Sequence, residues 1–148
     1  MIARVKEYLP LVVRVILGGV FIYAGVLKIA DPVAFAGNVA AYKLVPYFWS
    51  YLTAAILPWV EVISGALLVC GFRPKAGAVV IALLNAVFIV ALASAIVRGL
   101  DIDCGCFRQG GGEKTSPWIA LGRDVVFICM ALYIVRTSGE ERRGVKRA

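Results

Sequence analysis

Two cysteines separated by one glycine, Cys104-Gly105-Cys106, are the residues of this sequence best suited to chemistry. Two thiols at this spacing can close a small disulfide ring, and strain in such a ring makes the bond easier to reduce. A reducible disulfide suits thiol–disulfide exchange, in which a thiolate attacks a disulfide sulfur and a mixed disulfide forms. We therefore predict that Cys104 and Cys106 are the catalytic residues of a redox-active pair in an accessible loop.

Three other interpretations of this cysteine pair stay open. It could form a structural disulfide that pins the loop, or it could be two thiols without a role, since apolar proteins tolerate cysteine easily. It could also offer two soft ligands to Cu(I) or Zn(II), but the chain has no His to complete the coordination shell. We predict no metal site.

The composition indicates that this pair belongs to a membrane protein. The chain has 148 residues, of which 61% are hydrophobic and 17% charged, against roughly 45–50% and 25% in soluble domains. The mean hydropathy is +0.88. These values exclude an ordinary soluble enzyme, a disordered protein and a nucleic-acid-binding protein. The net charge of +7 does not favour nucleic acid, because much of it lies in one short C-terminal tail.

Four apolar stretches must position the cysteines. They cover residues 9–30, 49–72, 75–97 and 118–135, and each is close to the ~20 residues that a helix needs to cross a bilayer. We predict an all-α polytopic membrane protein, a four-transmembrane-helix bundle formed by the single domain 1–148. Turn signals in the first loop, at 31–48, favour a short interfacial helix. The basic tail at 136–148 is expected to be frayed.

The distribution of Lys and Arg predicts how the bundle is oriented. With four spans, the N-terminus, the second loop and the tail share one side of the membrane and hold nine of the 16 basic residues, whereas the other two loops hold five, with Lys28 among them. Cytoplasmic loops usually carry the excess of Lys and Arg. We predict a bacterial cytoplasmic (inner) membrane protein with both termini cytoplasmic and the loop of Cys104 and Cys106 periplasmic.

Ionisable residues within the apolar stretches are expensive and therefore suggest function. Arg14, Glu61, Arg123 and Asp124 have formal charges that sum to zero, which favours pairing inside the bundle. We predict a buried polar cluster of these four residues, with Lys28 at its edge, that fixes the bundle. A proton-carrying or quinone-binding role is the alternative.

A second pattern in the first span predicts how its helix packs. Arg14, Gly18, Phe21, Gly25 and Lys28 recur at helical spacing along one face. Glycines on such a face allow another helix to approach closely. We expect a packing seam at this stripe, along which Arg14 can extend.

The remaining two cysteines, Cys70 and Cys129, fall within apolar stretches. A relay that moves electrons across the membrane would need thiols at such positions, so both are candidate relay residues. The competing interpretation is that both are small hydrophobic residues of the bundle core.

The motifs together resemble those of the DoxX/MauE superfamily of small membrane proteins. The resemblance rests on Arg14-x3-Gly18-x2-Phe21-x3-Gly25-x2-Lys28, Asp31-Pro32, Pro58-x2-Glu61-x3-Gly65, Gly71, Cys104-Gly105-Cys106-Phe107 and Arg123-Asp124. The Cys-Gly-Cys-Phe element is similar to that of the MauE-like branch, which implies a redox-associated factor for periplasmic thiol–disulfide handling, including maturation of disulfide-rich methylamine dehydrogenase. The DoxX branch implies quinone-coupled sulfur oxidation instead.

These observations lead to one functional hypothesis and two competitors. The leading hypothesis is a membrane thiol–disulfide oxidoreductase that exchanges electrons with a periplasmic thioredoxin-like protein or a disulfide-rich client. A quinone in the bundle is one route for the electrons, although the sequence fixes no cofactor. The competitors are a non-catalytic assembly factor or quinone-linked subunit, and a small transporter. The predicted surroundings are a lipid bilayer, and no nucleic-acid partner is expected.

Overall fold

A computed structural model of the chain describes the backbone of residues 2–100 and 116–147, and the side chains of residues 8–100 and 116–139. Within these ranges the chain forms five helices and no strand. They are α1 (Ile2–Ala30), α2 (Pro32–Ala41), α3 (Tyr47–Cys70), α4 (Pro74–Val97) and α5 (Pro117–Arg147). The predicted all-α class, with a short helix in the first loop, is confirmed.

Four of these helices are long and apolar enough to cross a membrane. The segments are Tyr8–Ala30, Tyr47–Cys70, Pro74–Val97 and Pro117–Gly139. Only 22–33% of each apolar window is buried inside the protein, so most of the apolar surface faces outward. An apolar outer surface on helices of this length is typical of membrane-spanning segments.

Local signals in the sequence determine where the helices begin and end. Asp31 caps α2 by accepting a hydrogen bond from the backbone N–H of Ala34 at 3.0 Å, and Pro32 occupies the first turn, where its missing N–H costs nothing. Gly71 ends α3 in the left-handed conformation, with φ of 74°, which glycine adopts without steric cost. The tight turn that follows joins α3 to α4.

The four long helices pack as a ring in the order α1, α3, α4, α5. The most extensive packing joins α1 to α3 and α4 to α5, and α5 closes the ring against α1. The largest hydrophobic core cluster contains Leu17, Phe21, Leu68, Ile81 and Ile134. We call the end of the bundle where α3 turns into α4 the hairpin end. The end where α4 stops and α5 begins is the cysteine-loop end.

Glycines set the close approach of α1 and α3. A Cβ atom added to Gly18 would lie 2.6 Å from the backbone oxygen of Gly65, and one added to Gly25 would lie 2.8 Å from the backbone oxygen of Pro58. Only glycine leaves room for such contacts. The packing seam expected on this face of the first span is therefore present.

The C-terminal segment differs from the frayed tail expected at 136–148. Helix α5 continues past its apolar part and ends at Arg147. This segment contains no proline, and its Glu, Arg and Lys residues have good helix propensity. The helix therefore continues beyond the length that a bilayer requires.

Candidate functional site

Lys28 of α1 and Glu61 of α3 form an ion pair inside the bundle. The Lys28 ammonium donates to both carboxylate oxygens of Glu61, at 2.6 and 2.7 Å. Each residue is only 1% exposed. A buried charge is tolerated only when a partner and hydrogen bonds compensate for the lost solvation, and here both charges are compensated by each other.

The direction of the side chains explains how these two residues meet. Because Gly18 faces Gly65 and Gly25 faces Pro58, Lys28 lies about six residues, or roughly 9 Å, beyond the α1 position that faces Glu61. Side chains lean toward the N-terminus of their own helix. Since α1 and α3 are antiparallel, the two side chains lean toward each other and close that gap.

Aromatic rings surround the Lys28 ammonium. Its nitrogen lies 5.2 Å from the ring centre of Phe35 on α2 and 5.4 Å from that of Phe88 on α4. Both distances allow a cation–π attraction. The rings therefore add to the stabilisation of the charge while keeping the site apolar.

Helix α5 contributes a second ion pair to the same region. Arg123 donates to Asp124 at 3.0 Å, and its guanidinium lies 5.9 Å from the ring of Phe127. Asp124 is 3% exposed, and its Oδ2 atom has no hydrogen-bond partner among the described residues. Asn85 of α4 is also buried there, and its amide donates to the Ile81 carbonyl at 3.0 Å.

A small cavity is lined by both ion pairs and by the aromatic rings around them. Its volume is about 20 Å³, and its lining includes Lys28, Glu61, Asn85, Arg123 and Asp124. A space of this size holds one water molecule, for which the Asp124 oxygen is a suitable partner. It is far too small for a quinone ring, so the residues of this cluster do not fit that cofactor. The Lys28–Glu61 pair joins α1 to α3, and α5 brings the balanced Arg123–Asp124 pair to the same cavity.

Arg14 lies away from the other predicted members of the polar cluster. Its guanidinium points to the hairpin end, where its Nη2 atom is 2.9 Å from the position that a Cβ on Gly71 would take. The lean of side chains toward the helix N-terminus directs Arg14 away from the bundle centre. The structure thus brings Lys28, Glu61, Arg123 and Asp124 together and leaves Arg14 at the opposite end.

The predicted catalytic residues Cys104 and Cys106 lie outside the described residues. The chain that leads to them is held at the cysteine-loop end. Arg98 donates to the backbone oxygen of Tyr42 at 3.0 Å, and Leu100 packs against a core cluster formed by α4 and α5. The described chain resumes at Ser116, one residue before α5 begins.

The candidate relay cysteines occupy the surface of the bundle. Cys70 and Cys129 are both exposed and both have unpaired thiols. Neither thiol therefore lies in the bundle core, and the competing interpretation as core residues is wrong. Cys70 is the last residue of α3, whereas Cys129 lies well inside the apolar part of α5.

Three residues of the polar region were not predicted. Phe35 and Phe88 flank the Lys28 ammonium, and Asn85 lines the cavity. A signal was present for Asn85, because it is the one strongly polar side chain in the middle of the most apolar span. Phenylalanines are common in every span, so nothing distinguished these two.

Comparison with known proteins assigns the chain to a family. Residues 6–136 match the family model described as methylamine utilisation protein MauE. The methylamine utilization protein MauE of Paracoccus denitrificans is 35% identical over 122 residues, which cover 82% of this chain and 65% of that protein. Its counterpart in Paracoccus versutus is 34% identical over 120 residues, covering 80% and 64%.

A third relative has the same description. The methylamine utilization protein MauE of Methylophilus methylotrophus is 35% identical over 113 residues, covering 75% of this chain and 59% of that protein. The chain therefore spans about two thirds, or slightly less, of the length of these relatives. No solved structure matches it. Its sequence, read together with four helices that could span a membrane, shows that the chain belongs to the MauE family.

Proposed function

We propose that this chain is an inner-membrane protein of methylamine utilisation that acts by thiol–disulfide exchange through Cys104 and Cys106. The observation that carries the proposal is the location of this cysteine pair. It lies in the connection between two helices of membrane-spanning length, α4 and α5. Methylamine utilisation is the process named in the descriptions of its relatives.

The fixed ends of this connection support an exchange role. Cys104 is the fourth residue after Leu100, so covalent geometry limits their Cα atoms to within about 14 Å of each other. Leu100 is packed against the bundle. Chain connectivity therefore limits the distance of the thiols from the cysteine-loop end, which the proposal takes as the face that a partner protein approaches.

The exchange conserves atoms and electrons in two steps. The thiolate of one loop cysteine attacks a disulfide of the client, which breaks that disulfide and joins the two proteins through a mixed disulfide. The second loop cysteine then attacks the mixed disulfide and releases the client as a dithiol. Two electrons pass from the loop to the client, and the reverse sequence passes them back. A thioredoxin-like protein or a disulfide-rich periplasmic protein is the proposed partner.

The charges of the described residues support a periplasmic location for the cysteine loop. Arg14 extends to the hairpin end, and Lys28 is buried in an ion pair rather than lying in a loop. The balance of basic residues therefore moves from nine against five to ten against four in favour of the hairpin-end side. Such a bias supports the proposal that this side is cytoplasmic.

The first experiment determines the redox state and sidedness of the loop thiols. In a Cys70→Ser/Cys129→Ser background, Cys104 and Cys106 are the only cysteines of the chain. Intact cells are treated with a membrane-impermeant maleimide, with and without prior reduction, and labelling is read by mass. Labelling from outside only after reduction is the expected result. Labelling only after the membrane is opened would overturn the proposed orientation.

The second experiment tests exchange itself. The Cys106→Ser variant should accumulate a mixed disulfide with a periplasmic protein, because the resolving thiol is missing. The Cys104→Ser/Cys106→Ser variant should form no adduct and fail to support growth on methylamine. The matched control is Cys70→Ser/Cys129→Ser, which should support growth. Full growth with both loop thiols removed would instead favour a non-catalytic assembly factor.

A further inference from the structure

The hairpin end of the bundle contains a large basic cavity that the proposed exchange does not use. Its volume is about 790 Å³, and α1, α4, α5 and the turn between α3 and α4 all contribute to its lining. Three cationic side chains, Arg14, Arg73 and Lys75, line this cavity, and among the side chains that the structure describes no carboxylate lines it. The size lies within the range of small-molecule binding sites.

Arg14 is the least exposed of these three cations. It comes from the apolar part of α1, and its Nε atom is buried without a hydrogen-bond partner among the described residues. An unsatisfied buried donor on a charged group costs free energy unless a ligand completes it. A guanidinium is suited to an oxyanion, because its planar donors match two oxygen atoms at once.

The start of α4 lies at the same cavity. Pro74 and Lys75 form its first turn and both line the cavity. Pro74 has no N–H, and the N–H groups of Ala76 and Gly77 donate to the Arg73 carbonyl. What this helix end offers to an anion is therefore the positive end of its dipole. Ser138 of α5 also lines the cavity.

The cavity changes character along α4. Val79 follows Lys75 by one helical turn and lies on the same face, and Val80 lines the cavity beside it. The basic end of the cavity is therefore at the limit of the membrane-length segment, and the apolar end continues into it. A ligand with a charged phosphate and a hydrocarbon part matches both ends, whereas a free phosphate ion matches only the basic one.

We propose that this cavity binds the phosphate group of an anionic phospholipid. Arg14, Arg73 and Lys75 hold the phosphate oxygens, and the acyl chain lies along Val79 and Val80. The proposal is independent of the cysteine loop, which lies at the other end of the bundle.

Lipid titration of the purified full chain in detergent, read by native mass spectrometry, tests the proposal. Phosphatidylglycerol should bind about tenfold more tightly than phosphatidylcholine. Arg14→Gln should weaken the binding of phosphatidylglycerol about tenfold. Arg136→Gln is the matched control, because Arg136 is exposed on α5 and does not line the cavity. Its affinity should stay within about twofold of the parent chain.

Further variants keep the test decisive if Arg14→Gln does not fold. Arg73 and Lys75 are exposed, so Arg73→Gln and Lys75→Gln leave the core intact and should each weaken phosphatidylglycerol binding. Equal affinity for the two lipids, or an equal effect of Arg136→Gln, would overturn the proposal. Competition by glycerol phosphate at the same concentration as the lipid would show a soluble phosphate ester to be the ligand and overturn the lipid assignment.

Discussion

Replacing Lys28 by methionine tests whether the buried ion pair fixes the bundle. The change removes both hydrogen bonds to Glu61, at 2.6 and 2.7 Å, and leaves the carboxylate buried without its partner. Removing one member of a buried ion pair costs about 3–5 kcal/mol. The two lost cation–π contacts, to Phe35 and Phe88, add about 1 kcal/mol. We expect Lys28→Met to lower the free energy of unfolding by about 4–6 kcal/mol.

The double variant distinguishes the contribution of the ion pair from the contributions of its two side chains. In Lys28→Met/Glu61→Leu no charge is left unpaired, so the free energy of unfolding should return to within about 2 kcal/mol of the parent value. The two single changes should therefore show a coupling energy of at least about 3 kcal/mol. Glu61→Gln should cost less than Lys28→Met, because the amide keeps an oxygen that accepts from the ammonium and the aromatic contacts remain.

Reversible unfolding in mixed micelles with increasing dodecyl sulfate measures these differences. Circular dichroism reports the helices, and the fluorescence of the three tryptophans gives a second probe of the same transition. Lys43→Met is the matched control, since Lys43 is exposed and its loss should change the stability by less than about 1 kcal/mol. Purely additive single effects, or a Lys28→Met cost no larger than that of the control, would refute the structural role of the pair.

Two further substitutions test the packing and the helix ends. Gly18→Ala should lower the stability by about 2 kcal/mol, because its Cβ would lie 2.6 Å from the Gly65 backbone oxygen and force α1 from α3. Gly19→Ala, where a Cβ meets nothing within 4 Å, should be neutral or stabilising in the same micelle assay. Asp31→Ala should cost about 1 kcal/mol through loss of the α2 cap, and faster amide hydrogen exchange confined to α2 would locate the effect. An unchanged exchange rate in α2 would contradict the capping role.

Much of the architecture could be predicted because it depends on local properties of the sequence. Hydropathy and length identify the four long helices, and the Asp31-Pro32 pair marks the start of α2. The spacing of Gly18 and Gly25 on one face indicates the seam that α3 occupies. Each of these features is decided within one or two helical turns.

The pairing of charges could not be obtained by counting residues from the ends of the spans. Converted to depth by the helical rise, that count places Lys28 near the membrane surface and places Arg14 close enough to Glu61 to pair with it. The true partners depend on the register of α1 against α3 and on the opposite lean of side chains in antiparallel helices. Matching Gly18 with Gly65 in antiparallel register would have supplied this information, so the signal was present in the sequence.

The separation of Lys28 and Glu61 along the chain also constrains how the protein is made. Glu61 leaves the ribosome 33 residues after Lys28, which at about 5–20 residues per second is a delay of roughly 2–7 s. During that interval the Lys28 ammonium lacks its Glu61 partner, so burying it in the bilayer is unfavourable. Its long side chain keeps the charge at the lipid headgroups. We therefore expect the first helix to wait at the membrane until the third helix arrives. The glycine seam and the ion pair would then close in one step.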